Sequence, residues 1–266
     1  LFNLYVNDVY GIAPSATFVN YADDTSVFFT GESSDQLIAA ANVALAKLDE
    51  WTQKNSLKIN ADKTKAVLYH TRNKNIDTEN TITLRSTPVE MVSSFKTLGV
   101  IFQNTMSWDA HIDYITKKLS QIVGIVSRNR HVFPRHILML IYNGIFSPRL
   151  NYCHLVWAST TKSNIDRVLI LQKKFLRAVE NVPMHYHTHE LFKKYNVIPV
   201  TKSYDYRLCK LFKQETKRNN CTIQNIAHIE NNVDSYQTRH FEPWKVNTSR
   251  TTCGLQMLQN KLPRLL

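Results

Sequence analysis

Two short apolar runs, Phe18-Val19 and Val27-Phe28-Phe29, flank a polar stretch that holds the adjacent carboxylates Asp23 and Asp24. β-Branched and aromatic residues suit a pleated, half-buried surface, so the runs predict the two strands of a hairpin. Asp bonds its own backbone readily in turns, and turn chemistry alone accounts for the pair. Two carboxylates at one tip are also hard oxygen ligands of the kind that holds Mg²⁺. Both readings stay open on these residues.

Composition narrows the possibilities. A chain of 266 residues with 43% hydrophobic content can bury a sizeable core in one or two domains. No uncharged apolar run of about 18 residues occurs, so no membrane span is expected. Residues 1–10 carry Asp8 and no basic n-region, which is unlike a secretory signal. They also lack an initiating Met and begin within an apolar run, so the chain reads as cut from a longer frame. Cys153, Cys209, Cys221 and Cys253 are scattered without C-x-x-C spacing, and reduced thiols in an intracellular protein are expected.

The formal charge of +12 is uneven. Up to residue 108 there are 9 Lys+Arg against 11 Asp+Glu, and from residue 109 onward 24 against 10. A cationic half joined to a carboxylate-bearing half suits a protein that grips a polyanion while doing metal chemistry on it. An ordinary solvated basic surface gives the same charge.

Periodicity outlines an α+β chain. Residues 33–54 predict an amphipathic helix, with Ser33 and Gln36 as a capping box and Leu37, Ala41, Leu45, Leu48 and Trp51 on one face. Leu57, Ile59 and Ala66-Val67-Leu68-Tyr69 predict strands around a polar connection, Asn60 to Thr64. A polar loop at 71–80 and short strands near 81–85 and 88–94 follow. Phe95 to Phe102 reads as a strand that Gly99 interrupts.

Helices take over after Trp108. Asp109 is expected to cap a helix with an inner stripe of Ile112, Ile115, Leu119, Ile122 and Val126. A second starts near Pro134 and runs inward through Ile137, Leu138, Ile141 and Ile145 to Pro148. Ser163 or Asn164 caps a third, with Arg167, Lys173, Lys174 and Arg177 outside. His185, His187 and His189 alternate before Glu190, which a polar interhelical loop explains better than a metal site. Residues 190–217 predict helices broken by Pro199, and the chain from Arg218 is polar with little periodicity.

Several blocks, in order, carry a resemblance. Tyr21-Ala22-Asp23-Asp24 resembles the Tyr-x-Asp-Asp box of reverse transcriptases, and Leu1 to Val9 resembles the segment preceding it in non-LTR, LINE-type (jockey-like) retrotransposon enzymes. Leu57 to Thr64 resembles the family's L-x-x-N-x-x-K-T block. Phe95 to Val100 resembles the primer-grip block F-K-Y-L-G-V, with Thr97 in place of the aromatic. Ser147 to Trp157 resembles the thumb signature P-x-L-x-Y-x-x-x-x-W. The ends Tyr236 to Arg239 and Asn260 to Pro263 resemble the tail after the polymerase.

The resemblance implies a partial polymerase palm over 1–105 (an antiparallel sheet with a helix), a helical thumb over 106–182, and a helical connection with a polar tail over 183–266. It implies RNA-directed DNA polymerase activity with two Mg²⁺ ions, Asp23 as principal ligand and Asp24 as supporting ligand. Lys63 would sit near the incoming triphosphate, where the leaving pyrophosphate needs a proton or positive charge. Tyr21, Asn60, Leu98 and Gly99 would contact primer or nucleotide. Lys117, Lys118, Arg128, Arg130, Lys173, Lys174 and Arg177 would bind nucleic acid, although each basic face could equally be solvated surface. Implied partners are an RNA template, a DNA primer, deoxynucleoside triphosphates and an upstream endonuclease region of the same polyprotein, without a membrane. The copying step is expected in the nucleus, otherwise the cytoplasm. Asp8 is not the family's third catalytic carboxylate, which lies well upstream, so the chain alone is expected to be inactive. The alternatives are an inactive remnant that binds nucleic acid through the basic thumb and an unrelated intracellular protein whose motif matches are chance.

Overall fold

The computed structural model describes residues 2–71, 80–230, 244–245 and 249–266. Its architecture is α+β, and the chain divides into two compact units, Leu1–Ser107 and Trp108–Leu266. Each is described by itself.

In the first unit Ser33 starts the dominant helix. Its side chain accepts from the Gln36 backbone N–H at 3.3 Å, which satisfies one of the orphan donors of the first turn. Ahead of it come α1 (Phe2–Tyr5), a 3₁₀ turn (Asn7–Gly11), and strands β1 (Thr17–Tyr21) and β2 (Asp24–Phe28). The helix itself is α2 (Ser34–Lys54). β1 and β2 are antiparallel, with Phe18 opposite Val27 and Tyr21 opposite Asp24. Phe18 joins Val9, Ala13, Ala44 and Leu48 in one buried cluster, with Val27, Phe29, Trp51 and Ile59 packed against it. Val19 and Phe28 lie on the other face and are exposed, as a period of two requires.

The strand material after α2 is broken into short pieces: β3 (Lys65–Ala66), β4 (Thr83–Leu84), β5 (Thr87–Pro88), β6 (Glu90–Met91), β7 (Ser94–Thr97) and β8 (Val100–Gln103). β3 pairs parallel with β6, and the β4–β5 and β7–β8 pairs are antiparallel. The expected strand from Ala66 to Tyr69 ends at Ala66, and most of the expected 71–80 loop lies outside the described residues. Arg85 and Ser86 both take positive φ, which turns the expected strand at 81–85 into a tight hairpin. α2 holds that hairpin: Asn42 Nδ2 donates to the Thr81 carbonyl, Asn42 Oδ1 accepts from the Thr83 N–H, and Arg85 pairs with Asp49.

The second unit opens with α3 (Asp109–Asn129), whose expected stripe is buried throughout. Asp109 is the first helical residue rather than the cap. Trp108, in a left-handed conformation, occupies the cap position, and the Asp109 carboxylate accepts from Asn164 Nδ2 at 2.7 Å. α4 (Arg135–Ile141), a π turn (Tyr142–Phe146) and α5 (Ser147–Asn151) form one helical rod. Pro148 has no N–H to give the carbonyl four residues back, and its ring crowds that carbonyl. The turn before it widens instead, with the Ser147 N–H reaching the Tyr142 carbonyl. This shift in phase corrects one expectation: Phe146 points inward and Ile145 outward.

Next come α6 (His154–Trp157), α7 (Lys162–Glu180), α8 (His189–Lys194) and α9 (Val200–Lys217). α7 begins after Thr161, and Asn164 sits buried inside it, so neither Ser163 nor Asn164 is the cap. Tyr142, Phe146 and Phe175 pack ring on ring at 5.0–5.2 Å. Beside them the enclosed Gln172 amide joins three elements. Its Nε2 donates to the Tyr142 hydroxyl at 2.9 Å and to the Ile198 carbonyl at 3.0 Å, and its Oε1 accepts from the Val200 N–H at 2.9 Å.

The region past Arg218 is more ordered than its composition suggests. α10 (Thr222–Ile226), α11 (Thr252–Gln256) and α12 (Leu258–Lys261) are described, whereas 236–239 lies outside the described residues. Gln256 Nε2 donates to the Thr160 carbonyl, Lys261 pairs with Asp205 at 2.7 Å and lies over the Tyr204 ring, and Leu262 is buried.

Replacing Gln172 by Leu keeps the volume but strands the Tyr142 hydroxyl, the Ile198 carbonyl and the Val200 N–H. We expect a loss of about 2 to 4 kcal/mol in urea denaturation followed by circular dichroism. Tyr142→Phe, which leaves the Ile198 and Val200 bonds intact, should cost only about 1 kcal/mol. An equal loss in the two variants would contradict this accounting.

His154 generates a second expectation. It is buried against Trp157 and Tyr204, and among the described residues neither ring nitrogen has a hydrogen-bond partner. Burial, aided by the Arg207 charge, lowers its pKa to about 4. A group depressed in the folded state stabilises fully above its unfolded pKa of about 6.5, and that stability is lost as pH falls toward 4. The loss should approach about 3 kcal/mol. His154→Phe should flatten that part of the stability profile between pH 6.5 and 4, and an unchanged profile would show that another group governs it.

Candidate active site

Asp23 and Asp24 stand at a two-residue turn because the Tyr21–Asp24 register leaves only Ala22 and Asp23 to connect the strands. Ala22 is held at a φ of 52°, where a Cβ is unfavourable, and such strain concentrates at functional turns. Phe18 and Val27 anchor the hairpin's inner face, while Tyr21, Asp23 and Asp24 are exposed. Among the described residues neither carboxylate has an ion-pair or hydrogen-bond partner.

That donor set suits Mg²⁺ in kind, since its oxygens are hard and no internal cation neutralises them. It is small in number. Among the described residues no three His, Cys, Asp or Glu side chains gather where they could hold a metal, so Asp8 does not join the pair and His185, His187 and His189 form no such group.

Asn60 and Lys63 share a second turn. Asn60 Oδ1 accepts from the Lys63 N–H at 3.2 Å, and the Asn60 carbonyl accepts from the Thr64 hydroxyl at 2.9 Å. One end of the Asn60 side chain thus shapes the turn, and the Lys63 ammonium is left in solvent. Ile59, immediately before, packs on the cluster that holds the aspartate hairpin. Leu98 and Gly99 form a third turn at the tip of β7–β8, with φ of 46° and 81°. Two positive φ values in a two-residue loop match strand twist, which explains a Gly at the second position. At the base of this hairpin the Asn104 carbonyl accepts from the His70 N–H, and the Ala66 carbonyl accepts from the Val92 N–H. The hairpin is thereby tied to the strand that follows the Lys63 turn.

The cations expected to bind nucleic acid fall into groups. Lys117, Lys118, Arg128 and Arg130 are exposed on and just beyond α3, where Arg130 also bonds His131. Lys173 and Lys174 are half-buried on α7 rather than fully outside it. Arg177 is engaged internally, its Nε–H donating to the Tyr186 carbonyl at 3.0 Å, and so braces the 183–188 loop. The thumb-like signature is also structural: the Trp157 ring is enclosed, and its Nε1–H donates to the Tyr152 carbonyl at 2.9 Å. The residues that sequence reasoning missed are Gln172 and His154, whose importance depends on burial that no spacing announces.

Residues 1–102 match the family model described as reverse transcriptase (RNA-dependent DNA polymerase). The chain is 26% identical over 176 residues to the RNA-directed DNA polymerase from mobile element jockey of Drosophila melanogaster, covering 64% of this chain and 19% of the relative. It is 24% identical over 176 residues to a retrovirus-related Pol polyprotein from the type-1 retrotransposable element R1 of Bradysia coprophila, covering 64% and 17%. Against a probable RNA-directed DNA polymerase from transposon X-element of Drosophila melanogaster the identity is 21% over 259 residues, covering 93% and 26%. The chain thus spans about a fifth to a quarter of the length of these relatives. No solved structure matches it. No described helix is long and apolar enough to cross a membrane. The aspartate hairpin, the Asn60–Lys63 turn and the Leu98–Gly99 turn therefore all lie within the segment, residues 1–102, that matches the reverse transcriptase (RNA-dependent DNA polymerase) model, and similarity to mobile-element polymerases continues beyond it into the helical unit.

Proposed function

We propose that the chain is the C-terminal palm-and-thumb portion of a non-LTR retrotransposon polymerase, with palm over 1–105, thumb over 106–182 and a connection and tail over 183–266. Its reaction is template-directed transfer of nucleotides onto a DNA primer, copying RNA in the nucleus. The observation that carries this reading is the unpaired, exposed Asp23–Asp24 couple at a strained turn inside the segment that matches the reverse transcriptase model.

The residues divide the work as follows. Asp23 and Asp24 offer carboxylate oxygens to divalent metal beside the primer end, which Tyr21 packs against. Two bound Mg²⁺ ions would supply charge stabilisation for the attacking and leaving oxygens of an in-line displacement. Lys63, held out from its turn by Asn60, presents a positive charge toward the departing pyrophosphate. Leu98 and Gly99 bring a backbone turn to the primer strand, and the cations of α3 together with Lys173 and Lys174 of α7 contact phosphates.

A second reading, a remnant that binds nucleic acid without catalysis, is favoured by the small donor set at the hairpin. Both readings give the same outcome for the chain alone: no Mg²⁺-dependent primer extension above background. Robust extension that Asp23→Asn abolishes would show that the described carboxylates suffice.

Binding to a primer–template duplex should weaken steeply between low and physiological salt, as counterion release demands. The double variant Lys117→Ala, Lys118→Ala should reduce the slope of log K against log salt by about 1 to 2. A salt-independent affinity measured by filter binding would remove the basic helices from the reading.

A further inference from the structure

From residue 114 to residue 165 the chain contains no Asp or Glu, while it carries Lys117, Lys118, Arg128, Arg130, Arg135, Arg149 and Lys162. The helical rod Arg135–Asn151 lies wholly inside this acid-free stretch. Its inner side is consumed by Leu138, Tyr142, Phe146 and Leu150, all buried. Its outer side is apolar as well. Leu140 is 62% and Ile145 46% exposed, and the loop that leads into the rod adds Val132 at 73% and Phe133 at 42%.

The π turn makes this a face. In an α-helix residues five apart sit about 140° apart around the axis, but five residues of a π turn make little more than one turn. Ile145 therefore comes round toward Leu140, and His136, Leu140, Ile145 and Arg149 form one exposed row. Gly144 lies beside that row. A Cβ there would meet nothing within 4 Å, so no internal packing asks for glycine. A helix-weakening residue at the middle of an exposed apolar face leaves room for another backbone to approach closely.

We propose that this face docks an acidic amphipathic helix of a partner protein, its leucine-type side chains against Leu140 and Ile145 and its carboxylates toward Arg130 and Arg149. The arrangement has the anatomy of a protein interface, an apolar middle with a polar rim, and the charges this stretch itself supplies to the rim are all positive, with Glu180 meeting only Arg135 at the start of the rod. Nucleic acid fits it less well: phosphates want cations along the whole track and bases want aromatic faces, and the middle of this face is aliphatic. The inference shares Arg130 with the proposed nucleic-acid surface and otherwise uses neither the aspartate hairpin nor the α7 lysines.

The test is fluorescence anisotropy of a labelled synthetic peptide, Leu at every third and fourth position and Glu elsewhere, titrated with the full chain. The peptide should bind. Leu140→Ser and Ile145→Ser should each weaken it at least about fivefold, and both side chains are exposed enough that the thermal midpoint should hold. Gly144→Gln should keep or raise the thermal midpoint while weakening the peptide, because it fills the space the partner needs. A peptide with Lys for Glu should not bind. The proposal is overturned if the Ser variants bind the acidic peptide as tightly as the parent. It is overturned equally if that peptide fails to bind the parent chain, or if the Ser substitutions weaken only a single-stranded oligonucleotide or a phosphatidylserine vesicle.

Discussion

Phe18, enclosed by Val9, Ala13, Ala44 and Leu48, is the contact on which the aspartate hairpin depends. An isolated two-stranded hairpin is marginal in water, and β1–β2 pairs with no further strand among the described residues. One face of the hairpin is buried on α2, and that burial fixes the register, because a slip of one residue would turn Phe18 out and Val19 in. The register in turn leaves two residues for the connection and delivers Asp23 and Asp24 to the tip. Core packing thus determines where the carboxylates stand, although they touch none of it.

The parts of this arrangement that were legible in the sequence are those written as local chemistry or period. Ser33 three residues before Gln36 announced the start of α2, and the stripe from Ile112 to Val126 announced the buried face of α3. What failed did so for nameable reasons. Ile145 obeys helical period on paper and is turned outward because Pro148 forces a π turn upstream of itself. Asn164 has the composition of a cap and is instead buried in α7, bonded to Asp109 and Thr160. Arg177 reads as surface charge and is used on a backbone carbonyl. The segment 249–266 looks too polar to order, and it is held by Gln256 and Lys261, whose partners lie far away in sequence, and by the burial of Leu262. Apart from Ile145, whose phase a nearby proline sets, each failure is a tertiary contact overriding a local preference. The turns that carry Asp23, Lys63 and Gly99 were more legible than the fold around them, since residue type and backbone geometry are directly coupled there.

Both units engage some of their carboxylates in ion pairs, and the couple at the hairpin tip is not among them. In the helical unit Asp113 pairs with Arg167, Glu180 with Arg135 and Lys194, Asp205 with Lys261, and Glu230 with Lys245. Apart from those of Glu180, whose side chain is largely buried, these pairs are exposed and add little stability. Each cancels one negative charge against one positive charge, and the excess of lysines and arginines over carboxylates from residue 109 onward sets the sign of the unit's field. In the first unit Asp49 is paired with Arg85, but Asp23 and Asp24 are left adjacent and unneutralised. Like charges side by side repel, and folding gains nothing from keeping them there. Water at the exposed tip makes that repulsion tolerable, and a bound cation would turn the same proximity into an advantage. Adjacent, exposed carboxylates with no cation partner among the described residues are hard oxygen donors left open to a divalent metal.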